Sequence, residues 1–175
     1  MNTYEFSLVL SGVSDCTASL EDALYEAGCD DGLVCSYCNT VYIDFMREAT
    51  SYKDAVMSAI KDIESSSLSA SVVSVDAGDL VGITDIAELS AISKKTISAY
   101  KDGKRGPGEF PNPVQRLKNK SPLWRWSDVA TWLAHHGKVD PEIAENALIT
   151  EAFNKALAQR SQTTVVSDLV NELSC

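Results

Sequence analysis

The feature that most narrows the fold is a change of apolar spacing that recurs between residues 4 and 75. Tyr4, Phe6, Leu8 and Leu10 alternate with polar neighbours, the period of a half-buried strand, and Ser11-Gly12 ends the run. Between Thr17 and Ala27 the spacing changes to that of a helix, with Leu20, Ala23, Leu24 and Ala27 on one face and Gly28 placed as a C-terminal cap. Leu33–Cys35 and Thr40–Phe45 read as two strands joined by a turn over Tyr37–Asn39, with Val41, Ile43 and Phe45 in phase. Ser51 is placed to cap a helix whose stripe is Ala55, Val56, Ala59, Ile60 and Ile63, closed by the serines at 65–67. Ser71–Val75 reads as a last strand.

The order β-α-β-β-α-β predicts an α+β protein whose first domain, residues 1–78, is a ferredoxin-like sandwich. In that arrangement an antiparallel sheet carries both helices on one face. Such a fold hosts enzymes, sensors and oligomerisation modules, so it does not choose a function.

After Asp79 the pattern changes. Thr84 is placed to cap a short helix that turns Ile83, Ile86, Ala87 and Leu89 inward. Ala91-Ile92 makes a tight turn, and Ser93 caps a second helix through Ile97 and Tyr100 to Gly103. A glycine- and proline-rich piece, RGPGEFPNPV, leads to an expected hairpin, with strands Val114–Leu117 and Leu123–Trp126 around the turn KNKS. Ser127 then caps a third helix, Asp128–Ala134. Two helices, a hairpin and a helix predict a winged helix-turn-helix over residues 79–137. Residues 138–175 read as two further helices, and either these or the ferredoxin-like sheet would supply a dimer contact.

Charge divides the same way. Residues 1–79 carry 3 basic and 14 acidic side chains, residues 80–137 carry 9 and 5, and residues 138–175 carry 3 and 6, for a net charge of -10. The cationic middle segment coincides with the helix-turn-helix and its wing, which is where a duplex would lie.

These residues resemble a known family. ITDIAELSAISKKTISAY is similar to the helix-turn-helix of bacterial regulators, and RGPGEFPNPV…WRWSDVATWL resembles the winged domain of MerR-type and phage-excisionase-type proteins. The resemblance spans about residues 80–136. EAGCDDGL and VYIDFMREA are similar to the front half of uncharacterised bacterial proteins carrying this helix-turn-helix. The family usually holds glycine at the turn position occupied by Ala91, where a left-handed backbone would cost alanine about 1–2 kcal/mol.

A recognition helix presents its N-terminal side chains to base edges while amides and cations hold phosphates. The expected DNA-binding residues are therefore Ser93, Lys94, Lys95, Thr96 and Ser98 on the second helix, then Tyr100, Lys101, Lys104 and Arg105. Arg116, Lys118, Lys120 and Arg125 complete the set on the wing. Tyr100 serves equally as core or phosphate contact, whereas Trp124, Trp126 and Trp132 are expected to build core.

No catalytic residue, metal site or cofactor is expected. Cys35-Ser-Tyr-Cys38 has the gap of a zinc half-site but no second pair, and the five cysteines read as reduced thiols. His135-His136 reads as a helix C-terminus, and Asp30-Asp31-Gly32 as a turn before a strand. The start, MNTYEFSLVLSG, lacks a basic leader, and no apolar stretch is long enough to span a bilayer. The expectation is thus a cytoplasmic, non-enzymatic protein that binds double-stranded DNA as a homodimer and regulates transcription. Three alternatives stand beside it: an antitoxin or accessory subunit that binds a partner protein from a neighbouring gene through its acidic N-terminal domain, a phage recombination directionality factor, and, with least support, an enzyme or ligand sensor in the ferredoxin-like half.

Overall fold

The computed structural model describes residues 1–76, 79–118, 121–161 and 164–173. In chain order the elements are β1 (Asn2–Ser11), α1 (Leu20–Glu26), β2 (Gly32–Tyr37), β3 (Thr40–Ala49), α2 (Tyr52–Ser65), β4 (Ser71–Asp76) and β5 (Leu80–Val81). There follow α3 (Ile83–Ser90), α4 (Lys94–Lys101), β6 (Trp124–Arg125), α5 (Trp126–His135), α6 (Pro141–Arg160) and α7 (Thr164–Leu173). The protein is mixed α+β with antiparallel sheets, and it divides into two units: Met1–Ala77 with Ala152–Cys175, and Gly78–Glu151. The segment 138–175, expected to stand apart, is shared between both. The expected boundary at Gly78 lies outside the described residues.

In the first unit four strands pair in the order β2-β3-β1-β4, every neighbour antiparallel. Alternation decides the faces. Tyr4, Phe6, Leu8 and Leu10 of β1 and Val41, Ile43 and Phe45 of β3 are buried, and α2 closes them in with Ala55, Val56, Ala59, Ile60 and Ile63. Phe6 stacks on Phe45 at 5.3 Å, and Tyr52 meets Phe6 edge-on. Burying each large aliphatic side chain stabilises the unit by about 1.5–3 kcal/mol. The predicted stripes and the Ser51 cap match, the Ser51 hydroxyl accepting from the Asp54 amide at 3.1 Å. Cys38 and Asn39 both adopt positive φ, 47° and 66°, forming a two-residue hairpin turn of the mirror-image type that suits strand twist. The CxxC spacing is therefore a strand end and a hairpin turn.

The two sheet edges differ. On β4 the outward backbone groups are covered by side chains. The Asn154 amide of α6 accepts from Val75 N at 2.7 Å and donates to Val75 O at 3.0 Å, as a neighbouring strand would. Glu64 accepts from Val72 N at 3.2 Å, and Arg160, which donates to Glu64 at 3.1 Å, also reaches Val72 O. The Arg160 guanidinium holds the Glu64 carboxyl below its ordinary range. On β2 no such cover occurs among the described residues.

The second unit packs α3, α4, α5 and residues 141–151 of α6 around Ile86, Ile97, Trp124, Val129 and Leu133. Three expectations need correction. The α3 cap is Gly82, not Thr84: the Asp85 carboxylate accepts from the Gly82 amide at 2.7 Å, anchoring the helix two residues earlier. Among the described residues the expected hairpin shows one bridge, Gln115 with Leu123, and the second strand, β6, pairs with β5 (Leu80 with Arg125, Val81 with Trp124); residues 119 and 120 of the expected turn lie outside the described residues. Ser127 is not a cap, since α5 starts at Trp126 and the buried Ser127 hydroxyl donates to Glu151. No described helix is long and apolar enough to cross a membrane.

Candidate functional site

The site begins at the turn between α3 and α4. Ala91 closes α3 in the left-handed region, φ 54° and ψ 24°, the strained geometry that glycine would hold without penalty. Ser93 opens α4. Its hydroxyl accepts from the Thr96 amide at 3.2 Å and pairs with the Thr96 hydroxyl at 2.9 Å, so both groups serve as the helix cap. Ile97 and Tyr100 lock α4 to the core, which leaves Ser93, Lys94 and Lys95 exposed at its leading end and Thr96 and Ser98 partly so. That end combines first-turn amides, a positive helix pole and two cations.

The other expected cations divide by their partners. Lys101 and Lys104 both bond Asp102, which they hold below the ordinary carboxylate range. Lys104 and Arg105 fold back on the end of α4, their amides donating to Ala99 O at 2.9 and 3.2 Å. With α4 eight residues long, this second basic group lies about 12 Å along the axis from the first. Arg125 is tied to Glu151 at 3.1 Å and Asp128 at 3.8 Å. Lys94, Lys95, Arg105, Arg116 and Lys118 are exposed and make no ion pair among the described residues. Lys120 lies outside the described residues.

Tyr100 belongs to the core. The residue is 7% exposed; its ring tilts against Trp132 at 5.4 Å and is covered by Gly106, where an added Cβ would stand 2.7 Å from the ring. Trp124, Trp126 and Trp132 are buried, as expected. The indoles also hold the loop after α4: Trp132 Nε1 donates to Gly108 O at 3.1 Å and Trp124 Nε1 to Pro111 O at 2.9 Å, with the Phe110 ring edge-on to both. The RGPGEFPNP and WRWSDVATW stretches therefore meet, the first laid along the second. His136 caps α5 and its ring nitrogen lies 2.8 Å from Trp132 O.

In the first unit, sequence reasoning missed Arg47. Its side chain is 8% exposed, and all five N–H groups have acceptors. Nε and Nη2 clamp Asp31 at 2.8 Å each, Nη2 also donates to Gly28 O, and Nη1 donates to Asp62 at 2.7 Å and Ser58 at 3.1 Å. Asp31 and its neighbours raise the Arg47 pKa further above its ordinary value. The signal was present: Arg47 falls in the inward phase of Val41, Ile43 and Phe45, where a cation needs partners. This clamp joins the two stretches EAGCDDGL and VYIDFMREA. Beside it, burial pushes the Cys29 thiol up to about 11. No group of three or more metal-ligating side chains occurs among the described residues.

No protein-family model, curated protein or solved structure matches the chain.

Proposed function

We propose that this protein binds double-stranded DNA sequence-specifically, as a dimeric transcriptional regulator, through a winged helix-turn-helix in its second unit. The observation that carries the reading is the leading end of α4: an exposed, capped helix N-terminus bearing Lys94 and Lys95, held by a buried Ile97 and Tyr100. Arg105, Arg116 and Lys118 would reach flanking phosphates. The antiparallel order β2-β3-β1-β4 supports a ferredoxin-like first unit. Exposed Val166, Leu169 and Leu173 on α7 support self-association. One such module binds a limited area, so two half-sites would supply the affinity.

Selection from random duplexes, followed by mobility-shift titration of the enriched sequence, tests this. The triple substitution Lys94→Ala, Lys95→Ala and Thr96→Ala should abolish sequence preference, and losing two phosphate contacts lowers the salt slope by about 2. Unchanged preference in the triple variant refutes the assignment. The accessory-subunit reading draws on a different observation, the uncovered edge of β2.

A further inference from the structure

The geometry points to a strand-addition site on the outer edge of β2, built to take an extended, basic segment of a partner protein. It stands independently of the DNA reading, since none of its residues lies in the second unit.

The edge is available by construction. Asp31 O accepts from Met46 N, which sets the parity of the β2–β3 ladder: Leu33, Cys35 and Tyr37 bond β3, while Val34 and Ser36 turn their N–H and C=O groups outward. No partner for those outward groups occurs among the described residues, whereas the corresponding groups of β4 are covered by Asn154, Glu64 and Arg160. β2 also lacks the devices that guard bare edges. Its six residues, GLVCSY, contain no charge and no proline, and its pairing with β3 has no bulge.

The surroundings choose the occupant. Side chains of an added strand alternate between the two faces of the sheet. On the helix side they would enter a groove of about 310 Å³ between α1 and β2, whose charged lining is Glu21, Asp22 and Asp30 with no cation. On the other side they would lie beside Leu33 and Tyr37, 67% and 76% exposed. A segment alternating Lys or Arg with β-branched or aromatic residues satisfies both rows. A second copy pairing β2 with β2 would instead bring the two sets of carboxylates together, and β2 has no cation to offer them.

The test uses the full chain and a displayed library of random nonapeptides, with affinities of the enriched peptides read by fluorescence anisotropy. Enrichment of alternating basic and β-branched residues is expected. Ser36→Pro removes an outward N–H without touching the β3 ladder and should weaken binding by about tenfold. Asp22→Lys with Asp30→Lys should weaken it at least as much and remove its salt dependence. Methylating alternate backbone amides of the peptide should abolish binding to the unaltered protein, a measurement that does not depend on how the variants fold. The proposal is overturned if no peptide enriches, if the enriched peptides lack basic residues, or if methylated peptides bind equally well. It is also overturned if Ser36→Pro turns a dimer into a monomer, which would make a second copy the occupant.

Discussion

Replacing Arg47 with methionine keeps the stem that packs near Phe45, whose ring centre lies 5.0 Å from the guanidinium carbon, but removes every donor. Two carboxylates and the Gly28 carbonyl then lose their partner. Breaking a fully buried pair by deleting one member costs about 3–5 kcal/mol. Here Asp31 and Asp62 are 29% and 34% exposed, so water recovers part of their solvation, and the expected loss is at the lower end, about 3 kcal/mol. With a urea m value of about 1.5 kcal/mol/M, the midpoint should fall by about 2 M. All three tryptophans lie in the second unit, so fluorescence would not follow this one. Hydrogen exchange of β3 and α2 against urea reads it directly. Asp31→Asn should cost less, because Arg47 keeps Asp62, Ser58 and Gly28, and the double variant should show a coupling of about 1–2 kcal/mol. A loss under about 1 kcal/mol for Arg47→Met would refute the reasoning, since it would place the clamp among solvent-screened surface pairs.

Ala91→Gly should stabilise the second unit by about 0.5–1 kcal/mol in thermal melts, relief of left-handed strain outweighing the extra freedom of the unfolded chain. Gly106→Ala should destabilise it by about 1–3 kcal/mol, because φ is +87° and the new methyl meets the Tyr100 ring; loss of tryptophan burial on urea titration reads the change. In single-cysteine variants at pH 8, Cys29 should react with a thiol reagent at least about 100-fold more slowly than Cys38, being buried and scarcely ionised. The same raised pKa makes its stabilising contribution complete below the ordinary thiol range and lost as pH rises through about 11. Cys29→Ala should flatten that alkaline decline in stability curves.

Most of the first unit was legible because its signals are local and periodic. Val41, Ile43 and Phe45 announce a strand by spacing alone, and Ser51 announces the helix that follows. What escaped was long-range. Nothing near Trp124 says that it and Arg125 will pair with Leu80–Val81 while Leu123 alone bridges Gln115, since both candidate partners are short and tertiary pairing decides. Asn154 on α6 reads as an ordinary helical polar residue, and only the fold brings it to Val75. For the candidate site, the exposed cap at Ser93 and the inward Ile97 followed from helical spacing. The engagement of Arg125 by Glu151 and the burial of Tyr100 beneath Gly106 depend on chain segments that no short window contains.

Asn154 also limits what the sheet can become. Fibril growth requires a sheet to pair on both of its outer edges, so that each added copy regenerates the edge it consumed. With the outward groups of Val72 and Val75 on β4 covered, this sheet has a valence of one toward copies of itself: two copies joined through β2 leave no edge for a third. An uncharged edge can therefore stay accessible for recognition, because any assembly it starts terminates at the first step.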